Sequence, residues 1–156
     1  MDALNLLEQD HTELRRLLRE LEAAVDAEHD RGVRFRALHE ALTRHEQLEE
    51  ELFYPALRDH PKAKEMVLES YVEHDVVDRL LSDMVELDVR SELWPAKMAV
   101  LKENLEHHIE EEETELWKKA RQALGEEERA ELGERMAARR DQLRQHAAAA
   151  GAPASD

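Results

Sequence analysis

Two histidine–carboxylate sets recur in this chain at a fixed offset of 63 residues: His11 maps onto His74, His45 onto His108 and Glu49 onto Glu112. The neighbours keep the offset. Arg16, Leu17 and Leu18 return as Arg79, Leu80 and Leu81, Leu38 and Leu42 as Leu101 and Leu105, Glu50 as Glu113 and Arg58 as Arg121. A long internal repeat constrains architecture before any local propensity does. This unit is long enough for a helical hairpin, so two copies predict two hairpins in one bundle. Each copy carries a lone histidine followed by H-x-x-x-E, and the two copies together supply four imidazoles and two carboxylates.

The apolar residues alternate in steps of three and four, the spacing of one buried helix face. Helices are predicted over about 2–28, 32–59, 62–89 and 92–124, with a fifth over about 126–145. The seams run Leu4, Leu7, His11, Leu14, Leu18, Leu21, Val25; then Phe35, Leu38, Leu42, His45, Glu49, Leu52, Ala56; then Val67, His74, Val77, Leu81, Met84; then Met98, Leu101, Leu105, His108, Glu112. The fifth helix has the weaker face Leu132, Met136, Leu143. Ser91 and Glu92 before Trp94-Pro95 read as an N-terminal cap, and Gly125 as a helix end. One domain is expected over 1–146. The stretch 147–156 has little to bury and is expected to be a disordered tail.

Composition fits this reading. Charged residues make up 38% of the 156 and aromatics 4%, with four Gly and four Pro, a profile of long helices rather than sheet. A net charge of −16 opposes phosphate backbones and anionic lipid, so neither nucleic acid nor a membrane is an expected partner. There is no cysteine, which removes thiolate chemistry and Cys-type zinc or iron–sulfur sites. No signal-peptide core or membrane-length apolar run stands out, and a cytoplasmic protein is expected.

His11, His45, Glu49, His74, His108 and Glu112 all fall on positions that the spacing assigns to the core. A buried carboxylate without a partner costs several kcal/mol. Metal ions compensate directly, because neutral imidazole and carboxylate become ligands. In H-x-x-x-E the two side chains lie one turn apart on one face and can reach a single site. Dinuclear carboxylate centres in helical bundles are built this way. His107 adjoins His108, but the offset and the Leu101/Leu105 seam select His108; Glu112 is then its partner, with Glu113 the alternative if the helix carries a π-bulge. Tyr54 lies five residues past Glu49, where regular helix would not aim it inward. Either distortion before Pro55 brings it to the metals, or it packs in the core. His29, His39, His60 and His146 lie off the seams or near helix ends and read as surface.

Four segments carry a family resemblance: Asp10-His11, HEQLEEELFYP from His45 to Pro55, Glu73-His74, and HHIEEEETELW from His107 to Trp117. Over residues 2 to about 124 the chain resembles a hemerythrin-like HHE cation-binding domain. Leu132 to Leu143 resembles the extra helix of single-domain bacterial members. The resemblance implies an all-α, up-down four-helix bundle with an additional C-terminal helix around a non-heme di-iron centre. It implies two iron ions, oxo- or hydroxo-bridged, with imidazole ligands His11, His45, His74 and His108 and bridging carboxylates Glu49 and Glu112. The oxygen carriers of that family have a fifth histidine one turn after the third-helix ligand, where this chain has Asp78. They also end the second motif in aspartate, where this chain has Glu112 or Glu113.

That departure opens coordination positions for water, Tyr54 or Asp78. It favours reaction with small oxidants, most of all peroxide in a catalase-like or peroxidase-like disproportionation, or with O2. The alternative is a protein that binds or senses O2, NO or iron without turnover; a third reading is a metal-free acidic bundle. No separate general base is evident on the seams.

Overall fold

The computed structural model describes residues 1–24 and 28–151. Five helices account for it, and there is no strand among the described residues. Helix α1 is Ala3–Ala23. Helix α2 is continuous through three pieces, Glu28–Leu48, a π-helical turn Glu49–Phe53, and Tyr54–Leu57. Helix α3 is Lys64–Glu86. Helix α4 joins Leu93–Glu111, a second π-helical turn Glu112–Leu116, and Trp117–Ala123. Helix α5 is Glu126–Gly151.

The hairpin α1–α2 packs within itself, as does α3–α4, and α5 lies against α1 and α2. The architecture is the all-α bundle with an added C-terminal helix that the repeat and the resemblance implied. Asp2 caps α1, its Oδ1 accepting from the Leu4 N–H at 2.8 Å, while Arg129 of α5 donates to its Oδ2 at 2.9 Å. The close approach of α5 to that end depends on Gly133, because a Cβ there would collide with the Met1 carbonyl oxygen. At the start of α4 the Ser91 hydroxyl accepts from the Leu93 N–H at 3.2 Å. Helix α4 ends at Ala123, with Leu124 extended; the Gly125 N–H instead meets Glu128 at the start of α5.

Two apolar layers make the core. One gathers Leu4, Leu7, Phe53, Leu57, Val67, Leu116, Trp117, Leu132 and Met136. The other gathers Leu14, Leu18, Leu38, Leu42, Val77, Leu81, Leu101 and Leu105. Each fully buried leucine among them contributes about 1.5–3 kcal/mol. The histidines and glutamates form a polar layer between the two.

The predicted seams hold with three differences. Val25 lies outside the described residues, as does the side chain of His29. Past Glu49 the seam is not Leu52 and Ala56: Leu52 is half-buried and Ala56 exposed, while Phe53, Tyr54 and Leu57 are buried. The π turn adds one residue to the helical turn, so every later position rotates by one. Helix α5 also continues through four alanines, 147–150, the residue of highest intrinsic helix propensity, to Gly151. Among the described residues no helix is long and apolar enough to cross a membrane.

Candidate metal centre

All six seam histidines and glutamates meet in the polar layer. His11, Glu49 and Glu112 are at most 1% exposed, and His45, His74 and His108 at most 5%. Their ligand atoms form two groups, each drawn within 4.8 Å: His11, His45, Glu49 and Glu112, and Glu49, His74 and His108. Glu49 belongs to both. Its Oε1 lies 2.8 Å from His45 Nε2 and 4.0 Å from His11 Nε2. Its Oε2 lies 3.0 Å from His74 Nε2 and 4.0 Å from His108 Nε2. Glu112 Oε1 stands between the halves, 3.3 Å from His11 Nε2 and 3.2 Å from His108 Nε2. His107, adjacent to His108, points to solvent and meets Glu111 at 3.3 Å.

Both π turns begin on these glutamates. The Tyr54 N–H reaches back to the Glu49 carbonyl, and the Trp117 N–H to the Glu112 carbonyl. In regular α-helix a residue five positions on lies about 140° around the axis. The wider turn instead brings both aromatic residues to the cluster. Tyr54 Oη is 2.6 Å from Glu49 Oε2 and 3.0 Å from Glu112 Oε2, and so can donate to one at a time. It is also 3.3 Å from His74 Nε2 and 3.5 Å from His108 Nε2. Trp117 stacks on His11, with ring centroids 5.6 Å apart, and its indole N–H donates to Glu8 at 2.9 Å. The 63-residue offset pairs Tyr54 with Trp117, a signal in the sequence that the seam spacing hid.

An outer ring of carboxylates faces the Nδ1 atoms. His45 Nδ1 donates to Asp10 Oδ2 at 3.1 Å, and His108 Nδ1 to Glu73 Oε2 at 3.1 Å. Glu113 lies 3.7 Å from His11 Nδ1 and Glu50 3.5 Å from His74 Nδ1. Asp10 and Glu73 are themselves 63 residues apart, as are Glu50 and Glu113. Glu113, the alternative inner ligand, thus belongs to this ring, while Glu112 faces inward. A proton held on Nδ1 by a carboxylate leaves the Nε2 lone pair directed at the cluster.

Crowded nitrogens and carboxylate oxygens need positive charge between them. Without a metal, protons supply it. Burial opposes protonation of His74, but contacts with Glu49 and Glu50 outweigh it and raise its pKa to about 10. His11, His45 and His108 shift upward for the same reason. Burial opposes ionisation of Glu49 and Glu112, yet the surrounding imidazoles hold both below the usual carboxylate range. Burial, then the charges of Glu112 and Glu49, keep the Tyr54 phenol protonated well above its ordinary pKa. His11 Nε2, His45 Nε2, Glu49 Oε1 and Glu112 Oε1 are buried and, close as they lie, make no hydrogen bond of proper geometry. A metal ion is what such a donor set fits.

One buried acid was not anticipated. Glu46 is 5% exposed, and burial with a hydrogen bond to Asp78 pushes its carboxyl up to about 9. Its offset partner is Ile109, a buried apolar position that would have flagged it. Asp78 itself is exposed and joins neither metal-capable group. His39 and His60 are half-buried and His146 exposed; none joins either group.

Comparison with known proteins agrees with this geometry. The family model described as hemerythrin HHE cation-binding domain matches residues 2–120. Uncharacterized proteins of Mycobacterium tuberculosis and Mycobacterium bovis are 32% identical over 146 residues, covering 92% of this chain and 88% of theirs. The crystal structure of a hemerythrin HHE cation-binding domain-containing protein from Mycobacterium kansasii superimposes with a TM-score of 0.83 at 30% identity. The match covers 94% of this chain and 90% of that one.

Proposed function

Because this chain belongs to the hemerythrin HHE cation-binding domain family, we propose that it holds two iron ions in the buried layer and turns over hydrogen peroxide, in a catalase-like disproportionation. One ion takes His11, His45, Glu49 and Glu112. The other takes Glu49, His74 and His108, with Tyr54 as the added ligand, because Oη faces both imidazoles of that half. Bound iron supplies paired one-electron redox centres and Lewis acidity toward a peroxide.

The chain's own residues do the rest. Asp10 and Glu73 fix the tautomers of His45 and His108. Before metal binds, the Tyr54 hydroxyl donates to Glu49 or Glu112, and that contact holds its oxygen at the cluster. Glu46, protonated at neutral pH, holds a further proton near His74. The two apolar layers keep bulk water from the centre. The observation that carries the reading is the pair of buried metal-capable groups that share Glu49. With Asp78 outside the cluster, the second side keeps a position for a small oxidant.

The test is metal content and the optical spectrum of aerobically purified protein, followed by oxygen evolution on adding hydrogen peroxide. Two irons per chain, near-ultraviolet ferric absorption and steady oxygen release are expected. One zinc per chain would overturn the dinuclear reading. A stable, reversible O2 adduct with no oxygen release from peroxide would replace turnover by carriage or sensing.

A further inference from the structure

The two hairpins repeat, but among the described residues only the first has a helix on its back. Helix α5 packs on α1 and α2 and meets their acids with arginines. Arg129 pairs with Asp2 at 2.9 Å, Arg139 with Glu51 at 2.7 Å and Arg140 with Asp10 at 3.4 Å. The offset carries Asp2 to Glu65 and Asp10 to Glu73, so the second hairpin keeps both acids. Among the described residues no arginine or lysine pairs with Glu73; its partner is His108.

A groove of about 470 Å³ lies between α3 and α4, lined by Leu68, Glu69, Val72, Glu73, His107 and Glu111. Three of these, Glu73, His107 and Glu111, are the offset partners of Asp10, Arg44 and Leu48, which line the seat beneath Arg140 and Arg144. Leu68, Val72 and Val76 succeed one another one turn apart on α3 and are 42%, 62% and 43% exposed. Their offset partners are Asn5, Gln9 and Glu13, polar residues that suit solvent. The second hairpin therefore shows apolar side chains where the first shows polar ones, and acids where the first has acids already paired.

We infer that the α3/α4 groove docks a basic amphipathic helix of a partner protein, lying beside the equivalent of the α5 seat and shifted toward Leu68, Val72 and Val76. Its apolar face covers Leu68, Val72 and Val76, and an arginine reaches Glu73 as Arg140 reaches Asp10. Helix-in-groove recognition uses apolar anchors at this spacing. Charge selects the occupant: with a net charge of −16 and glutamates rimming the groove, a second copy presenting the same face is repelled. Docking would also tie the partner to His108, through the carboxylate that orients its ring. The inference does not depend on which metal or oxidant the centre takes.

The probe is a fluorescein-labelled synthetic peptide of residues 129–146, a helix already known to fit the equivalent seat, titrated with the intact full-length protein. The resident α5 is tethered at high effective concentration and holds its own seat, so the peptide reports the second one. Saturable one-to-one binding is expected, with a dissociation constant on the order of 10–100 μM at low salt, weakening as salt rises. Val72→Glu should weaken it at least about tenfold, and so should a peptide with glutamine at 139, 140 and 144. Gln9→Glu, the matching change on the first hairpin, should leave it unchanged, with circular dichroism checking that each variant folds. Absence of saturable binding at millimolar peptide, or binding indifferent to Val72→Glu, overturns the inference. So does weakening by Gln9→Glu alone, which marks exchange with α5, or a dimer in sedimentation equilibrium that Val72→Glu dissociates.

Discussion

The two hairpins present the same inner side chains and different outer ones. Behind the imidazoles of the first hairpin, both carboxylates, one of them supplied by α4, are held by arginine. Asp10 behind His45 meets Arg140, and Glu113 beside His11 meets Arg15 at 2.8 Å. In the second, Glu73 and Glu50 stand behind His108 and His74, and among the described residues neither pairs with an arginine or lysine. The offset partner of Arg15 is Asp78, so a cation in one half is replaced by an acid in the other. The aromatic residues diverge too, since Trp117 stacks on His11 while Tyr54 offers an oxygen beside His74 and His108. A repeat can thus keep a ligand set constant while its surroundings leave the outer acids paired with arginine in one half and without such a pair, among the described residues, in the other.

The largest effect is expected where the halves share a residue. Glu49→Ala should remove nearly all iron, because that carboxylate faces both groups. Retention of one full equivalent by elemental analysis would show that the halves bind independently. Next, His108→Ala should lower iron affinity by at least about 100-fold and His107→Ala should leave it intact. Equal losses would mean that the register of α4 has been misread. Changes to the outer acids sharpen the contrast: Glu73→Gln and Asp10→Asn should each cost about 10–100-fold in affinity. The Asp10 change should also free Arg140 and loosen α5, giving faster amide exchange over 129–146, which Glu73→Gln should not. Tyr54→Phe should abolish a visible phenolate-to-iron band while retaining the near-ultraviolet absorption, and Trp117→Phe should do neither.

The smallest effect is a pH dependence of the metal-free protein. His74 has a folded pKa of about 10 against an ordinary 6.5. The folded state binds this proton more tightly. The stabilisation is therefore fully present below about 6.5 and fades as pH rises through about 10. Thermal melts of apo protein should decline across that window, and iron loading should flatten the decline because metal replaces the protons. A pH-independent apo melt would show that the imidazoles are not protonated together.

The bundle and its six inner residues could be read from periodicity because both obey a single spacing. The seam past Glu49 could not. The π turn closes with the hydrogen bond from the Tyr54 N–H to the Glu49 carbonyl and leaves no mark in residue type. Leu52 and Ala56 accordingly looked like core positions when Phe53 and Leu57 are. The outer acids were legible in principle, since Asp10 and Glu73 each precede a lone histidine at the common offset. They read as surface charge because nothing local tells a carboxylate facing solvent from one facing an imidazole. The seat of α5 was beyond reach for another reason. Its arginines satisfy acids 88 to 130 residues away, contacts that no periodicity encodes.

The paired π turns bear on ancestry. Each hairpin carries the same extra residue at the same place, immediately after the H-x-x-x-E glutamate. Two independent insertions at matching positions are a less economical history than one insertion copied. A single gene for one such hairpin, translated and paired with itself about a dyad, would already assemble four imidazoles and two carboxylates at the axis. Fusing two copies end to end would release each from having to match the other, and Tyr54 against Trp117 and Arg15 against Asp78 are differences that such freedom allows.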